Sequence, residues 1–142
     1  MPRIWRNEVE LDTVNAMSAK DMIGRLGFAY TAIGDDFLVA TFMIDERTRQ
    51  PMGLLHGGMS CAVSESMGSV AANLCVDRTR HACVGIELNA SHLRGASEGQ
   101  INARCTPIRV GRSTQVWQTD LYDDRERHLC VSRLTVAVID RP

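Results

Sequence analysis

Lysine is almost missing from this 142-residue chain: Lys20 stands alone beside fifteen arginines. Guanidinium groups suit fixed, bidentate contacts to phosphate or carboxylate, although biased base composition in the coding sequence produces the same excess. The formal net charge is only −1. No global positive field is therefore present to recruit nucleic acid or anionic lipid. No apolar stretch is long enough to span a bilayer. Near the N-terminus, Glu8, Glu10 and Asp12 interrupt any apolar run, so no signal peptide is expected. The chain has no CxxC pair. Its five cysteines (Cys61, Cys75, Cys83, Cys105 and Cys130) are odd in number and sit among apolar neighbours. A metal or redox site is not expected from them. They read as small buried hydrophobes in a reducing cytosol, with a cytoplasmic location the matching expectation. Internal repeats, low-complexity tracts and linkers are also missing, so residues 1–142 are read as one domain.

What remains is ordinary globular composition, 44% hydrophobic and 23% charged. Leu11 to Ala16 reads as a short helical turn. Ser18, with Asp21 three residues on, reads as the N-cap of a brief second helix ending near Gly27. Phe28–Ile33 and Phe37–Ile44 are apolar runs joined by the turn signal Gly34-Asp35-Asp36, which predicts a hairpin. Further alternating runs follow at Ala82–Ser91, Gly99–Thr106, Ser113–Tyr122 and His128–Ile139. Their connections, Arg94–Glu98, Pro107–Gly111 and Asp123–Arg127, are short enough for antiparallel neighbours. The expected class is α+β: a long central helix wrapped by five or six mostly antiparallel strands.

That central helix is Gly57 to Val76, about 30 Å long at 1.5 Å per residue. It contains a single charge, Glu65. Val63, Met67, Val70 and Leu74 fall on one stripe. The other side carries Gly58, Cys61, Glu65, Gly68, Ser69 and Ala72, where a solvated helix would show Lys, Arg and several Glu. The expectation is a helix buried all round, its small-residue face covered by another backbone, with a second subunit the natural candidate.

The chemistry-bearing stretch is Gln50-Pro51-Met52-Gly53-Leu54-Leu55-His56-Gly57-Gly58, followed by Glu65 and Ser69. His56-Gly57-Gly58 opens the helix. Backbone N–H groups there lack intrahelical partners, glycines permit close approach, and the helix dipole adds positive charge. Together these favour an oxygen that gains negative charge under attack. Glu65 and Ser69, four apart, share one helix face. A carboxylate on a dry face is costly unless paired or functional. The bland readings are a flexible loop with a packing His56, a solvated Gln50, and a Glu65 paired with an arginine across an interface.

These motifs resemble the hotdog-fold thioesterases of the phenylacetate-degradation type, in particular their aryl branch. The likeness includes Ile4-Trp5, Gly34-Asp35-Asp36, Glu65-Ser66-x-Gly68-Ser69 and Gly85-Ile86-Glu87-Leu88-Asn89-Ala90-Ser91-His92-Leu93-Arg94. It continues through Gln115-Val116-Trp117 and Ser132-Arg133-Leu134, nearly the whole chain. The resemblance implies hydrolysis of an acyl thioester carried on CoA or an acyl carrier protein. No separate cofactor and no metal are implied. Glu65 would be nucleophile or general base, and Ser69 would position the attacking group. Gln50 and His56 would orient the reactants, and the Gly57 N–H would polarise the carbonyl. His92 would lie near the pantetheine arm, with Arg94 and Arg112 as candidates for the CoA phosphates. Met52, Val84 and Gly85 would line the substrate site. The resemblance further implies a homodimer, in turn a dimer of dimers, with each site shared between subunits. Two departures, Met52 where relatives often carry Phe and Met59 where they often carry Ala, bear on the acyl group more than on the reaction. The competing readings are a hotdog dehydratase or hydratase using His56 and Glu65 as acid and base, and a non-catalytic acyl-CoA-binding module.

Overall fold

The structure is a computed structural model that describes residues 2–142; Met1 lies outside the described residues. The element order is α1 (Leu11–Ser18), α2 (Met22–Arg25), β1 (Ala29–Ile33), β2 (Leu38–Met43), α3 (Gly57–Leu74), β3 (His81–His92), β4 (Gln100–Val110), β5 (Thr114–Tyr122) and β6 (His128–Asp140). The six strands form one sheet in the order β1-β2-β4-β5-β6-β3, and every pairing is antiparallel. The chain leaves β2 for α3 and returns to the far edge, so α3 lies across the concave face as the resemblance implies.

Alternation along β5 shows how the sequence chooses a face. Gln115, Trp117, Thr119 and Leu121 are buried towards α3, while Val116, Gln118 and Asp120 lie on the outer side. Trp117 stacks on Trp5 at 6.1 Å between ring centroids, closing the core beneath the N-terminal segment. Trp5 Nε1 donates to the Gly34 carbonyl at 2.7 Å and ties that segment to the β1–β2 turn. Ser132 Oγ donates to Ser64 Oγ at 2.6 Å and Ser64 Oγ donates to the Ser60 carbonyl at 2.9 Å, so buried hydroxyls pin α3 to β6. All five cysteines are free. Burial pushes the thiols of Cys75 and Cys105 up to about 12 and those of Cys83 and Cys130 up to about 11.

Four expectations need correction. Asp21, not Ser18, caps α2, accepting from the Gly24 N–H at 3.1 Å, and Ser18 is instead the last residue of α1. The stretch from Pro107 is strand, not connection. β4 runs on to Val110 because a bulge between Pro107 and Arg109 absorbs the residue that cannot donate. The β3 region extends to His81 and His92, beyond its apolar alternation, because β6 pairs with it along its whole length.

The fourth correction concerns which face of α3 each small residue occupies. Gly68 and Ala72 face the sheet, whereas Val70 is half-exposed. A Cβ at Gly68 would meet Leu134 Cδ2 at 2.6 Å, so this small residue admits β6. The open face is Ala62, Glu65, Ser66, Ser69 and Asn73, and Glu65 itself is exposed. Small residues that touch a strand and small residues left for another surface look alike in sequence.

Candidate functional site

The loop between β2 and α3 is fastened at both ends. Side-chain hydrogen bonds from Arg47 hold the Asp45 carboxyl below the usual carboxylate range. Buried Thr48 accepts the Asp45 N–H at 3.0 Å through Oγ1, and its carbonyl accepts the His56 N–H at 2.8 Å. The Leu55 N–H donates to Ala96 at 2.7 Å, tying the loop to the segment after β3.

On this frame, Gln50 turns its Oε1 inward, where it accepts from the backbone N–H groups of Met52 and, at 3.4 Å, of Leu54. The group Gln50 offers outward is therefore its amide NH2, a donor. His56 is the N-cap of α3, and its Nδ1 accepts the Gly58 N–H at 2.8 Å. That bond makes Nδ1 the acceptor, so neutral His56 carries its proton on Nε2 and presents a donor to solvent. It also occupies the Gly58 N–H. The Gly57 N–H has no acceptor among the described residues and remains available at the positive end of α3. The His92 ring closes over Gly57: a Cβ there would meet His92 Nε2 at 3.0 Å. Gln50, Gly57, His92 and Arg94 share one cavity of about 360 Å³.

A second group lies further along α3. Glu65 leans over β3 at Gly85, where a Cβ would collide with Glu65 Oε1. The missing side chain at Gly85 makes the seat for this carboxylate. Val84, the residue before Gly85 in β3, is 42% exposed. Ser69 is one turn beyond Glu65 and borders a separate cavity of about 280 Å³. At 1.5 Å per residue, Glu65 is about 12 Å along the helix from Gly57. The protomer thus forms two half-sites: Gln50, His56, Gly57 and His92 at the helix tip, and Glu65, Ser69 and Gly85 midway along it.

Two expected residues join neither half. Met52 is 82% exposed on the outer bend of the loop. Arg112 sits in the β4–β5 turn, at the end of the sheet that carries Val84, because the neighbouring Ser113 carbonyl accepts from Val138. Arg94 lies beyond the opposite end of β3, so one protomer does not bring the two arginines together.

Asn73 is a residue the motif reading passed over. Its Oδ1 accepts the Cys83 N–H at 3.0 Å, and its Nδ2 donates to the Cys83 carbonyl at 3.2 Å and the Ser69 carbonyl at 2.8 Å. It clamps β3 to α3 two residues before Gly85, so it sets the distance between that glycine and Glu65. The only sequence signal was an amide in a helix whose other residues, Glu65 apart, are small or apolar.

The family profile of the thioesterase superfamily matches residues 52–130, which include His56, Gly57, Glu65, Ser69, Gly85 and His92 but not Gln50. The chain belongs to the thioesterase superfamily. A 1,4-dihydroxy-2-naphthoyl-CoA hydrolase of Escherichia coli is 45% identical over 136 residues, covering 96% of this chain and 99% of that protein. A proofreading thioesterase of Cronobacter sakazakii is 44% identical, covering 96% and 98%. Among solved structures, a mutant thioesterase of Pseudomonas aeruginosa superposes with a TM-score of 0.94 at 41% identity, over 97% of this chain and 99% of that one. This thioesterase is therefore a hotdog-fold enzyme of the thioester-hydrolase class. No helix among the described residues of the thioesterase is long and apolar enough to cross a membrane.

Proposed function

We propose that this protein hydrolyses aryl-CoA thioesters at sites shared between two copies of the chain, with Glu65 supplying the attacking or water-activating carboxylate. The observation that carries the reading is the seat of Glu65. It is the sole charge on α3, it rests over the bare backbone of Gly85, and it stands on a helix face of small residues beside an edge strand that has β6 on one side only. The separation of the two half-sites supports sharing. The Gly57 N–H of one copy would face Glu65 of the other once the small-residue faces meet. The relatives' names support CoA as the thiol carrier and an aromatic acyl group.

In this scheme the thioester carbonyl oxygen accepts the Gly57 N–H, which stabilises the negative charge that builds on it. The Glu65 carboxylate either attacks the carbonyl carbon, giving an anhydride that water then opens, or takes a proton from the water that attacks. In both routes the C–S bond breaks, the sulfur leaves as thiolate and is protonated, and the acid is released. The Gln50 NH2 and His56 Nε2–H donate to the reacting oxygens, and Ser69 holds the attacking group. His92 and Arg94, at the same mouth, are assigned to the CoA arm. Arg112 approaches that arm only from the second copy. No metal or cofactor takes part, since CoA belongs to the substrate.

Release of free thiol from benzoyl-CoA or a hydroxylated aryl-CoA tests the reading. Glu65→Ala should lower turnover on the order of 10²-fold or more. Parent-like turnover in that variant would remove Glu65 from the mechanism.

A further inference from the structure

The cavity beside Ser69 has features that hydrolysis itself does not call for. Its buried lining is apolar, formed by Val14 and Leu74 with half-buried Val70, and its volume is about 280 Å³. That is the small end of the range for organic ligands. Two exposed arginines, Arg78 and Arg141, stand at its mouth, and no carboxylate lines it.

The acids next to them in the chain are turned elsewhere. Asp77 pairs with Arg6 at 3.7 Å, and Asp140 pairs with His81 at 3.1 Å. Neither Arg78 nor Arg141 forms an ion pair among the described residues, in contrast to Arg47 and Arg127. Arg141 is nevertheless held in place: its backbone N–H donates to the Arg80 carbonyl at 2.8 Å and its Nε to the His81 carbonyl at 3.2 Å. A guanidinium held at Nε by one neutral carbonyl keeps its charge unneutralised, and its terminal N–H groups suit an anionic oxygen.

We propose that this cavity receives the acyl group and that Arg78 and Arg141 select acyl groups whose far end carries a carboxylate. The proposal rests on the thioesterase reading above. Ser69 is one turn from Glu65, so an acyl carbon at the carboxylate places the rest of the group along Ser69 into the apolar space. The arginines then meet its distal end.

The test compares kcat/KM for para-carboxybenzoyl-CoA and for benzoyl-CoA in the parent, Arg78→Gln and Arg141→Gln. The ratio should fall about three- to tenfold in each variant, the range for a partly exposed charge-assisted contact. Arg78→Gln removes none of the backbone ties of Arg141, so it keeps the test clear of misfolding. A ratio that does not move, or equal losses on both substrates, overturns the inference and leaves thioester hydrolysis standing. The same variants are assayed with dephospho-CoA thioesters. Equal losses on both CoA substrates that vanish with the dephospho-CoA thioesters would show that the arginines hold the CoA 3′-phosphate, which overturns it. A parent that releases no thiol from either substrate overturns the hydrolase reading, and this selectivity falls with it.

Discussion

Glu65 and Gly85 are twenty positions apart in the chain and act as one feature. On most amphipathic helices a carboxylate stands free in water. Here it lies on a strand, because the strand has no side chain at the contact point. Gly85→Ala would place a methyl on the Glu65 oxygen. The strand ladder needs no glycine there, and alanine reduces the freedom of the unfolded chain, so stability should change by less than about 1 kcal/mol. The carboxylate, though, must swing away. A displacement near 1 Å is enough to lower turnover roughly a hundredfold. Thermal melting and thiol release on the same sample check both halves of this prediction; parent-like turnover with parent-like melting would show that the seat has no catalytic use. Glu65 was legible in the sequence as the one charge on α3. Gly85 was legible only as part of a family likeness, since nothing local in β3 says which helix residue will rest on it.

Between the residue and the fold stands the α3–β3 pair, and Asn73 is its fastener. Removing that amide leaves the N–H and carbonyl of buried Cys83 without partners. Asn73→Ala should therefore destabilise by about 1–3 kcal/mol in urea unfolding. Because Gly85 follows two residues later on the same strand, kcat should fall more than KM rises, whereas a purely structural role would lower stability and leave the kcat of the folded fraction intact. Elements were easier to read than their ends. The hairpin at Gly34-Asp35-Asp36 and the long helix were announced by turn residues and by 3.6-residue periodicity. The continuation of β4 past Pro107 was hidden, because a bulge that excuses a proline is set by the neighbouring strand. Val70 also misled: an apolar residue at the border of the stripe can belong to the core or to a cavity, and here it borders the Ser69 cavity.

Across the molecule, one side of α3 and the outer edge of β3 are unfinished in the same place. β3 is twelve residues long, unpaired along one edge, and displays Ile86 at 61% and Val84 at 42% exposure. A long apolar edge invites another strand, and the small residues of α3 allow two helices to approach beside it. If two copies join there, each Gly57 tip can serve the other copy's Glu65, and activity becomes a property of the pair. Ile86→Lys, alone or with Val84→Lys, adds charge to the joint without touching Glu65 or the helix tip. Light scattering should show the monomer at concentrations where the parent is dimeric, with unchanged secondary structure by circular dichroism. Specific activity should fall with the dimer fraction and climb again as protein concentration is raised, because mass action refills the shared sites. That concentration dependence separates a shared site from simple damage, which dilution does not modulate. A variant that is monomeric at every concentration and still hydrolyses aryl-CoA at the parent rate would confine the site to one chain. Gly57 and Glu65, about 12 Å apart on one straight helix, would then have to act on the same substrate from positions that no rotamer of Glu65 can bridge.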